Sequence, residues 1–350
     1  MKIWYEALTG KQSLLFHHIA LYYEKLNHTS IFTTRNNDYT ELNLLKLKRK
    51  FHSIGKYGGS NLKNKLIEGT NRIQNLANLI DKEKPDLLIS FSSPDAVRTA
   101  YGLGIPVLLI NDTPHAEAVA RLTLSLSKGL IHSSSIKSEK FGKFGVTKFY
   151  PYNGVDESLW IRNFEYNSDT LTELNLKPNQ FIVLRTEESQ SAYYQKLFPK
   201  ISENGTYLEY IIQQYHKHHP NDKIVVFPRY PEQYKILNNY DVIIPSQSVD
   251  TLSLLYKAKG LMTGGGTMAR ESAMLGTPTI YTFPMKLAVS EYLSKLNFPI
   301  YHEPNYKDAF SLFLKIIENP KIEEQIRQQK LNNIETPVNA INKALSDLGF

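Results

Sequence analysis

The 350-residue chain is 41% hydrophobic and 21% charged, values of a folded globular protein, and its length suits two cores rather than one. It has no cysteine, which excludes disulfides, thiolate metal sites and cysteine nucleophiles. The net charge of +7 is unevenly spread: residues 1–150 hold 21 Lys/Arg against 12 Asp/Glu, and the remainder 20 against 22.

The alternation of apolar runs and helical patterns predicts the elements in chain order. Residues 2–5 read as a strand rather than a signal peptide, followed by a loop over 7–12 and a helix over 13–26. A strand is expected at 29–34. The segment 42–67 carries Lys46, Lys48, Arg49, Lys50, Lys56, Lys63 and Lys65 with no acid between them. Such a run attracts an anionic partner, phospholipid or a phosphorylated acceptor, or it is a solvated basic face, the more ordinary outcome. Nucleic acid is not expected, because no binding motif accompanies the charge and the aromatics form no stripe.

A long amphipathic helix is predicted over 62–81, with Leu62, Leu66, Ile73, Leu76 and Ile80 near one face. A buried strand over 86–91 runs into the helix start Ser93-Pro94-Asp95. Strands at 106–110 and 129–132 flank a helical stretch over 115–126, and 148–150 closes the first unit. Residues 151–167 read as a linker, with a turn at Asn153-Gly154.

In the second unit strands are expected at 181–185, 223–227, 241–244, 260–263 and 279–282. Helices are expected at 205–217, 231–237, 250–256 and 268–275, although 255–262 also looks like one apolar strand. Three helices, over 307–317, 320–330 and 339–348, end the chain. No run of about 18 apolar residues occurs, so no membrane span is expected. This alternation implies α/β structure: two doubly wound, Rossmann-like domains facing across a cleft at the carboxyl ends of parallel strands. The expected division is 1–160, 161–335, and a final helix over 336–350 that crosses back onto the first domain.

The run Thr263-Gly264-Gly265-Gly266-Thr267 lies between a strand and a helix. Three glycines there leave bare N–H groups at the positive end of a helix dipole, an anion site most often used for phosphate. Glu271, one turn on, can accept hydrogen bonds from a sugar diol. The plainer alternative is a tight connection in which glycine supplies a positive φ. The run is neither Walker A nor the dinucleotide fingerprint, since it lacks Gly-Lys-Ser/Thr and the G-x-G-x-x-G spacing. Arg185 and Arg229 end two strands of the same unit, and guanidinium groups there suit a diphosphate. An ion pair of either arginine with Glu187 or Glu188 is the competing reading.

In the first unit Asp112, His115, Glu117 and Arg121 form the densest polar cluster. Asp112 follows a buried strand, and His115 near neutral pKa could take a proton from a hydroxyl. Against that, Asp112 or Thr113 caps a helix and Glu117–Arg121 is a surface pair. Ser93 and Asp95 form a helix start whose cap could also touch a sugar or acceptor. His216, His218 and His219 lie at a helix end with no carboxylate pattern, so no metal site is expected.

Several runs, in order along nearly the whole chain, resemble one largely archaeal family catalogued as domain-of-unknown-function family 354. They include Ile54-Gly55-Lys56-Tyr57-Gly58-Gly59, Asn111-Asp112-Thr113-Pro114-His115-Ala116 and Asn153-Gly154-Val155-Asp156-Glu157. Phe227-Pro228-Arg229-Tyr230-Pro231 and the run from Gly264 to Glu271 continue the series. That family is similar to GT-B proteins, the fold of nucleotide-sugar glycosyltransferases and of non-hydrolysing UDP-N-acetylglucosamine 2-epimerases. The resemblance implies that Gly264, Gly265, Gly266 and Thr267 hold a diphosphate, with Glu271 on the ribose. An acceptor or sugar side is expected around Gly10, Lys11, Ser93, Asp95 and Glu117. Two departures stand out: Arg270 takes the place of a glutamate, and Thr9-Gly10-Lys11-Gln12 replaces a loop that ends in histidine.

The function expected is a GT-B-like glycosyltransferase that uses a nucleotide diphosphate sugar, a UDP-sugar, as substrate and requires no cofactor. Its acceptor is anionic or lipid-linked at a membrane surface, and its compartment the cytoplasm or the membrane periphery. The alternatives are a 2-epimerase, with Asp95 and Glu117 as its carboxylates, and a non-catalytic nucleotide-sugar-binding protein.

Overall fold

A computed structural model describes residues 1–36, 40–59, 61–186, 206–245 and 249–350. The chain divides into two compact units, Met1–Trp160 with Ile334–Phe350, and Ile161–Asn333.

Among the described residues the first unit holds seven strands: β1 (Lys2–Glu6), β2 (Thr29–Asn36), β3 (His52–Lys56), β4 (Leu87–Ser90), β5 (Val107–Ile110), β6 (Gly129–Ser133) and β7 (Phe149–Tyr152). They form one parallel sheet in the order β3-β2-β1-β4-β5-β6-β7. Every residue of β4, β5 and β6 is buried, as expected of parallel strands covered on both faces. The order reverses between β1 and β4, and at such a switch point the loops beyond the strand ends part into a crevice.

Three local differences from the expected elements matter. The first helix starts at Gly10 and not at residue 13, because Thr9 accepts from the Gln12 N–H while the Gln12 side chain accepts from the Leu8 N–H. Lys11 therefore lies in a helical first turn rather than a loop. β3, which was not expected, is an edge strand exposed along most of its length. The helix Leu62–Glu83 buries Arg72, Leu76 and Ile80, but Leu62 and Leu66 are exposed, so its packed stripe is shorter than its periodicity.

The terminal helix Pro337–Leu348 packs on β6 and β7 through Val338, Ile341, Ala344 and Leu345. Its approach is guided by Gly154, which pairs with Glu335 so closely that a Cβ at Gly154 would lie 1.9 Å from the Glu335 carbonyl. No other residue fits there.

The second unit holds β8 (Phe181–Arg185), β9 (Lys223–Phe227), β10 (Gly260–Thr263), β11 (Thr279–Tyr281) and β12 (Ile300–His302). They form a parallel sheet in the order β12-β11-β10-β8-β9. Its switch point lies between β8 and β10. Residues 241–244 make only an isolated bridge, Val225 to Ile243, and not the expected strand. The apolar stretch over 255–262 starts as the end of the helix Thr251–Lys257, which Asp250 caps by accepting from the Leu252 and Ser253 N–H groups. Ile182, Leu184, Ile212, Val226, Met262 and Phe313 centre the core. No helix of the described residues is long and apolar enough to cross a membrane.

Candidate functional site

In the second unit the glycine run joins β10 to the helix Gly266–Met274. Gly264 N–H donates to the Arg185 carbonyl at 3.0 Å, and Gly265 N–H to Thr263 Oγ1 at 3.1 Å. None of the three glycines has a positive φ; Gly265 is extended, at φ −121° and ψ 158°. The turn thus needs no left-handed residue, and what glycine supplies is space. A Cβ on Gly266 would lie 2.7 Å from Leu287 Cδ1 and 2.8 Å from Arg270 Nη1. At Gly265 it would meet only Arg229 Nη2, at 3.8 Å, and Thr263 Oγ1, at 3.9 Å.

Among the described residues no side chain caps this helix. The N–H groups of its first turn, Thr267 included, have no partner within the helix and sit at the positive end of its dipole. Two guanidinium groups accompany them. Arg229 follows β9, with its Nε donating to the Thr186 carbonyl at 3.1 Å. Gln233 steadies that loop: its Oε1 accepts from Arg229 N–H at 2.8 Å, from Tyr230 N–H at 3.2 Å and from Thr186 Oγ1 at 3.1 Å. Arg270 is buried, with Nη1 against Gly266. Amides and guanidinium groups in this arrangement can hold two phosphates.

Gly264, Gly265, Gly266, Thr267 and Arg229 thus come together, and Arg185 joins them through its carbonyl. Glu187 and Glu188, the alternative partners of Arg185 and Arg229, lie outside the described residues. Glu271 is 7% exposed in the second turn of the same helix. Arg270 and Gln233 were not singled out from the sequence. Nothing marks Gln233, whereas Arg270 stood out only as a departure from a motif.

In the first unit one ammonium gathers three carboxylates. Lys11 Nζ lies 2.7 Å from Asp112 Oδ2, 2.7 Å from Asp156 Oδ2 and 3.7 Å from Glu157 Oε1. It also sits 4.7 Å from the centre of the Phe91 ring, just past β4. Tyr152 donates its hydroxyl to Asp156 Oδ1 at 2.6 Å, and Thr113 Oγ1 donates to Asp112 Oδ1 at 2.7 Å. Asp156 and Glu157 are buried. Desolvation pushes the Asp156 pKa above the usual carboxylate value, with Lys11 pulling the other way. Burial holds His115 below the ordinary histidine value despite the charge of Asp112, so its imidazole is neutral at pH 7. Neutral imidazole can accept a proton.

The remaining first-unit candidates do not join this group. Asp112 is no helix cap: Ala116 takes that position, without a side-chain bond, and Asp112 turns to Lys11 instead. Lys11, expected on the acceptor or sugar side, is already taken up by the protein's own carboxylates. Glu117 lies 3.3 Å from Arg121 and 3.8 Å from Lys143 at the surface, an ordinary exposed pairing. Ser93 caps the helix Pro94–Gly102 and donates to Glu6 Oε1 at 3.3 Å. Asp95 pairs with Arg72 at 3.4 Å, and Arg72 with the buried Glu6 at 2.6 Å. These belong to a structural network that also holds Thr33 and Trp4. Gly10 opens the first helix, where a Cβ would lie 2.9 Å from Asn43 Nδ2. Among the described residues no group of three or more His, Asp or Glu side chains is arranged to hold a metal ion.

The family model for "Protein of unknown function (DUF354)" matches residues 1–345. The uncharacterized protein MJ0665 of Methanocaldococcus jannaschii is 31% identical over 305 residues, spanning 84% of this chain and 85% of its own. Among solved structures, the UDP-GlcNAc 2-epimerase of Neisseria meningitidis bound to UDP-GlcNAc is similar with a TM-score of 0.72 at 17% identity, covering 99% of both chains. The Methanocaldococcus jannaschii UDP-GlcNAc 2-epimerase in complex with UDP-GlcNAc and UDP has a TM-score of 0.70 at 16% identity, again with 99% of both chains. The spinosyn rhamnosyltransferase SpnG has 0.64 at 9% identity, covering 99% of this chain and all of its own. At such identities the likeness is one of fold, and the fold is the GT-B architecture shared by epimerases and glycosyltransferases.

Proposed function

We propose that this chain, which belongs to the DUF354 family, binds a nucleotide diphosphate sugar in its second unit and transfers the sugar to an acceptor hydroxyl. The observation that carries this reading is the uncapped glycine start of the helix Gly266–Met274, flanked by Arg229 and Arg270. UDP is the nucleotide named in the similar epimerase structures, and it is the first to try. The N–H groups of Gly266 and Thr267 receive the diphosphate, and Glu271 accepts from the ribose hydroxyls. As the bond to the anomeric carbon breaks, charge grows on the diphosphate, where fixed donors are worth most. Losing one such donor costs about 2.7–4 kcal/mol of transition-state stabilisation. In the first unit His115, kept neutral by burial, is the group able to take a proton from an acceptor hydroxyl.

A specific observation also favours 2-epimerisation. That chemistry removes and returns a proton at C2, and Asp112, Asp156 and Glu157 offer carboxylates in unequal surroundings. The carboxylates first considered for it, Asp95 and Glu117, are engaged with Arg72 and with Arg121.

Thermal shift with nucleoside diphosphates and their sugars tests the donor site. Saturation at a hundred times Kd adds about 2.7 kcal/mol of stability. No shift with any of them would overturn the reading. Incubation with UDP-N-acetylglucosamine in deuterated water separates the two chemistries, since deuterium enters at C2 only in epimerisation.

A further inference from the structure

The basic segment of the first unit has no part in the donor site. At its end the helix Leu62–Glu83 begins with Leu62 78% exposed, Leu66 72% exposed and Ile67 45% exposed. Single exposed aliphatics are ordinary, but three within two turns of one helix are not. Leu62 and Leu66 are one turn apart on the same side. Tyr57, also exposed, belongs to a loop packed on this turn: a Cβ on Gly58 would lie 2.7 Å from Lys65 Cα, and Lys65 Nζ is 5.8 Å from the Tyr57 ring centre.

The segment leading into this apolar tip is basic, and Glu68, one residue past Ile67, is paired with Lys56 at 3.5 Å. From residue 42 to residue 67 there are seven Lys or Arg and no Asp or Glu. The helix has no acidic residue in its first turn and carries Lys63 and Lys65 there, close to the positive end of its own dipole. Lysine at that end of a helix costs stability, so helix formation does not explain its presence. An exposed aliphatic tip flanked by Lys63 and Lys65 also differs from a groove made for a peptide.

We infer that the Leu62, Leu66 and Ile67 tip, with Lys63, Lys65 and Tyr57 around it, docks the first unit onto an anionic phospholipid surface. The aliphatic side chains enter the boundary between headgroups and acyl chains, and the lysines meet lipid phosphates. Tyr57 suits the same depth, with an apolar ring and a wet hydroxyl. This goes beyond the nucleotide-sugar reading and does not depend on it. A lipid-anchored acceptor would be met at such a surface.

The test is flotation of the full chain with vesicles of phosphatidylglycerol and phosphatidylcholine, in parallel with phosphatidylcholine alone, without any nucleotide. The wild type should float with the anionic vesicles, weakly with the neutral ones, and less at high salt. The double substitution Leu62→Glu and Leu66→Glu should lower partitioning at least about tenfold, because two leucines no longer leave water. Lys63→Glu with Lys65→Glu should weaken it too, whereas reversing the exposed Lys235 and Lys295 of the second unit should not. Circular dichroism of each variant should match the wild type, because the changed side chains are on the surface. Failure of the wild type to bind anionic vesicles would overturn the inference, as would binding indifferent to the leucine changes. Self-association lost on Leu66→Glu, with no vesicle binding, would assign the tip to a second copy of the chain and overturn it as well.

Discussion

Lys11 Nζ lies 2.7 Å from Asp156 Oδ2 and equally close to Asp112 Oδ2, so one ammonium links the turn after β7 to the end of β5. The first helix supplies the lysine, and the Phe91 ring after β4 supports it. This ion pair joins loops that are far apart in the chain, at the carboxyl end of one sheet.

Removing the cation should leave three carboxylates with little water to solvate them. Lys11→Met is expected to lower unfolding free energy by about 3–5 kcal/mol, the cost of breaking a buried pair from one side. Adding Asp156→Asn should recover part of that loss, because the amide still accepts from Tyr152 without a charge. Urea denaturation of the wild type and both variants measures this. Equal stability of Lys11→Met and wild type would show that the cluster is neutralised in another way.

Gly265 offers a clean probe of the donor site. Its backbone is extended and its Cβ position is open, so Gly265→Ala should fold normally. The new methyl group would stand between the first turn of the helix and Arg229. Its thermal shift with UDP should be much smaller than that of the wild type. Arg229→Ala should cost about 1.5–3 kcal/mol of UDP binding, the range for hydrogen bonds to charged groups. Titration calorimetry reads both.

The proposed base sets a pH dependence. Burial keeps His115 below the usual histidine value, so its working neutral form persists across neutral pH. Turnover should be flat there and fall only below about 6.5, the ordinary histidine value. His115→Ala should lower kcat by about 10²–10⁴-fold, the typical share of a general base. A variant with unchanged kcat and pH profile would remove His115 from the chemistry.

His17 should make folding stability fall in mild acid. Its Nδ1 accepts from Arg49 Nε at 2.8 Å, which only the neutral ring can do, and burial with the Arg49 charge lowers its pKa to about 4. In the unfolded chain the value is 6.5. Between those values the unfolded state binds more protons, so stability is full above 6.5 and declines as pH falls toward 4. Half-exposed groups are screened, so the loss is smaller than the shift alone implies. His17→Gln, which keeps an acceptor, should flatten the slope of urea stability against pH.

Parallel strands buried on both faces are the most legible part of this chain. β4, β5 and β10 announce themselves as apolar runs with turn residues at their ends, and their alternation with helices already implied two doubly wound α/β units. β3 is hidden because His52, Ser53 and Lys56 carry no apolar pattern; its edge pairing with β2 makes it a strand. Leu62 and Leu66 mislead in the opposite way. They continue a buried stripe by period, but both are exposed at that end of the helix.

The glycine run is local: a strand end, three residues without side chains and a helix start lie within one short stretch, so the expectation of an anion site can be drawn from residue types alone. The reason for the glycines was not. It lies in Leu287 and Arg270 crowding Gly266, contacts that only folding creates. Lys11, Asp112, Asp156 and Glu157 are further still from local reading, since 145 positions separate Lys11 from Asp156. Residue order determined which segments become strands and helices, because burial on one or both faces writes itself into hydrophobic period. Tertiary structure alone decided which charges share a pocket, because a parallel sheet brings every carboxyl end to one side whatever the distance along the chain.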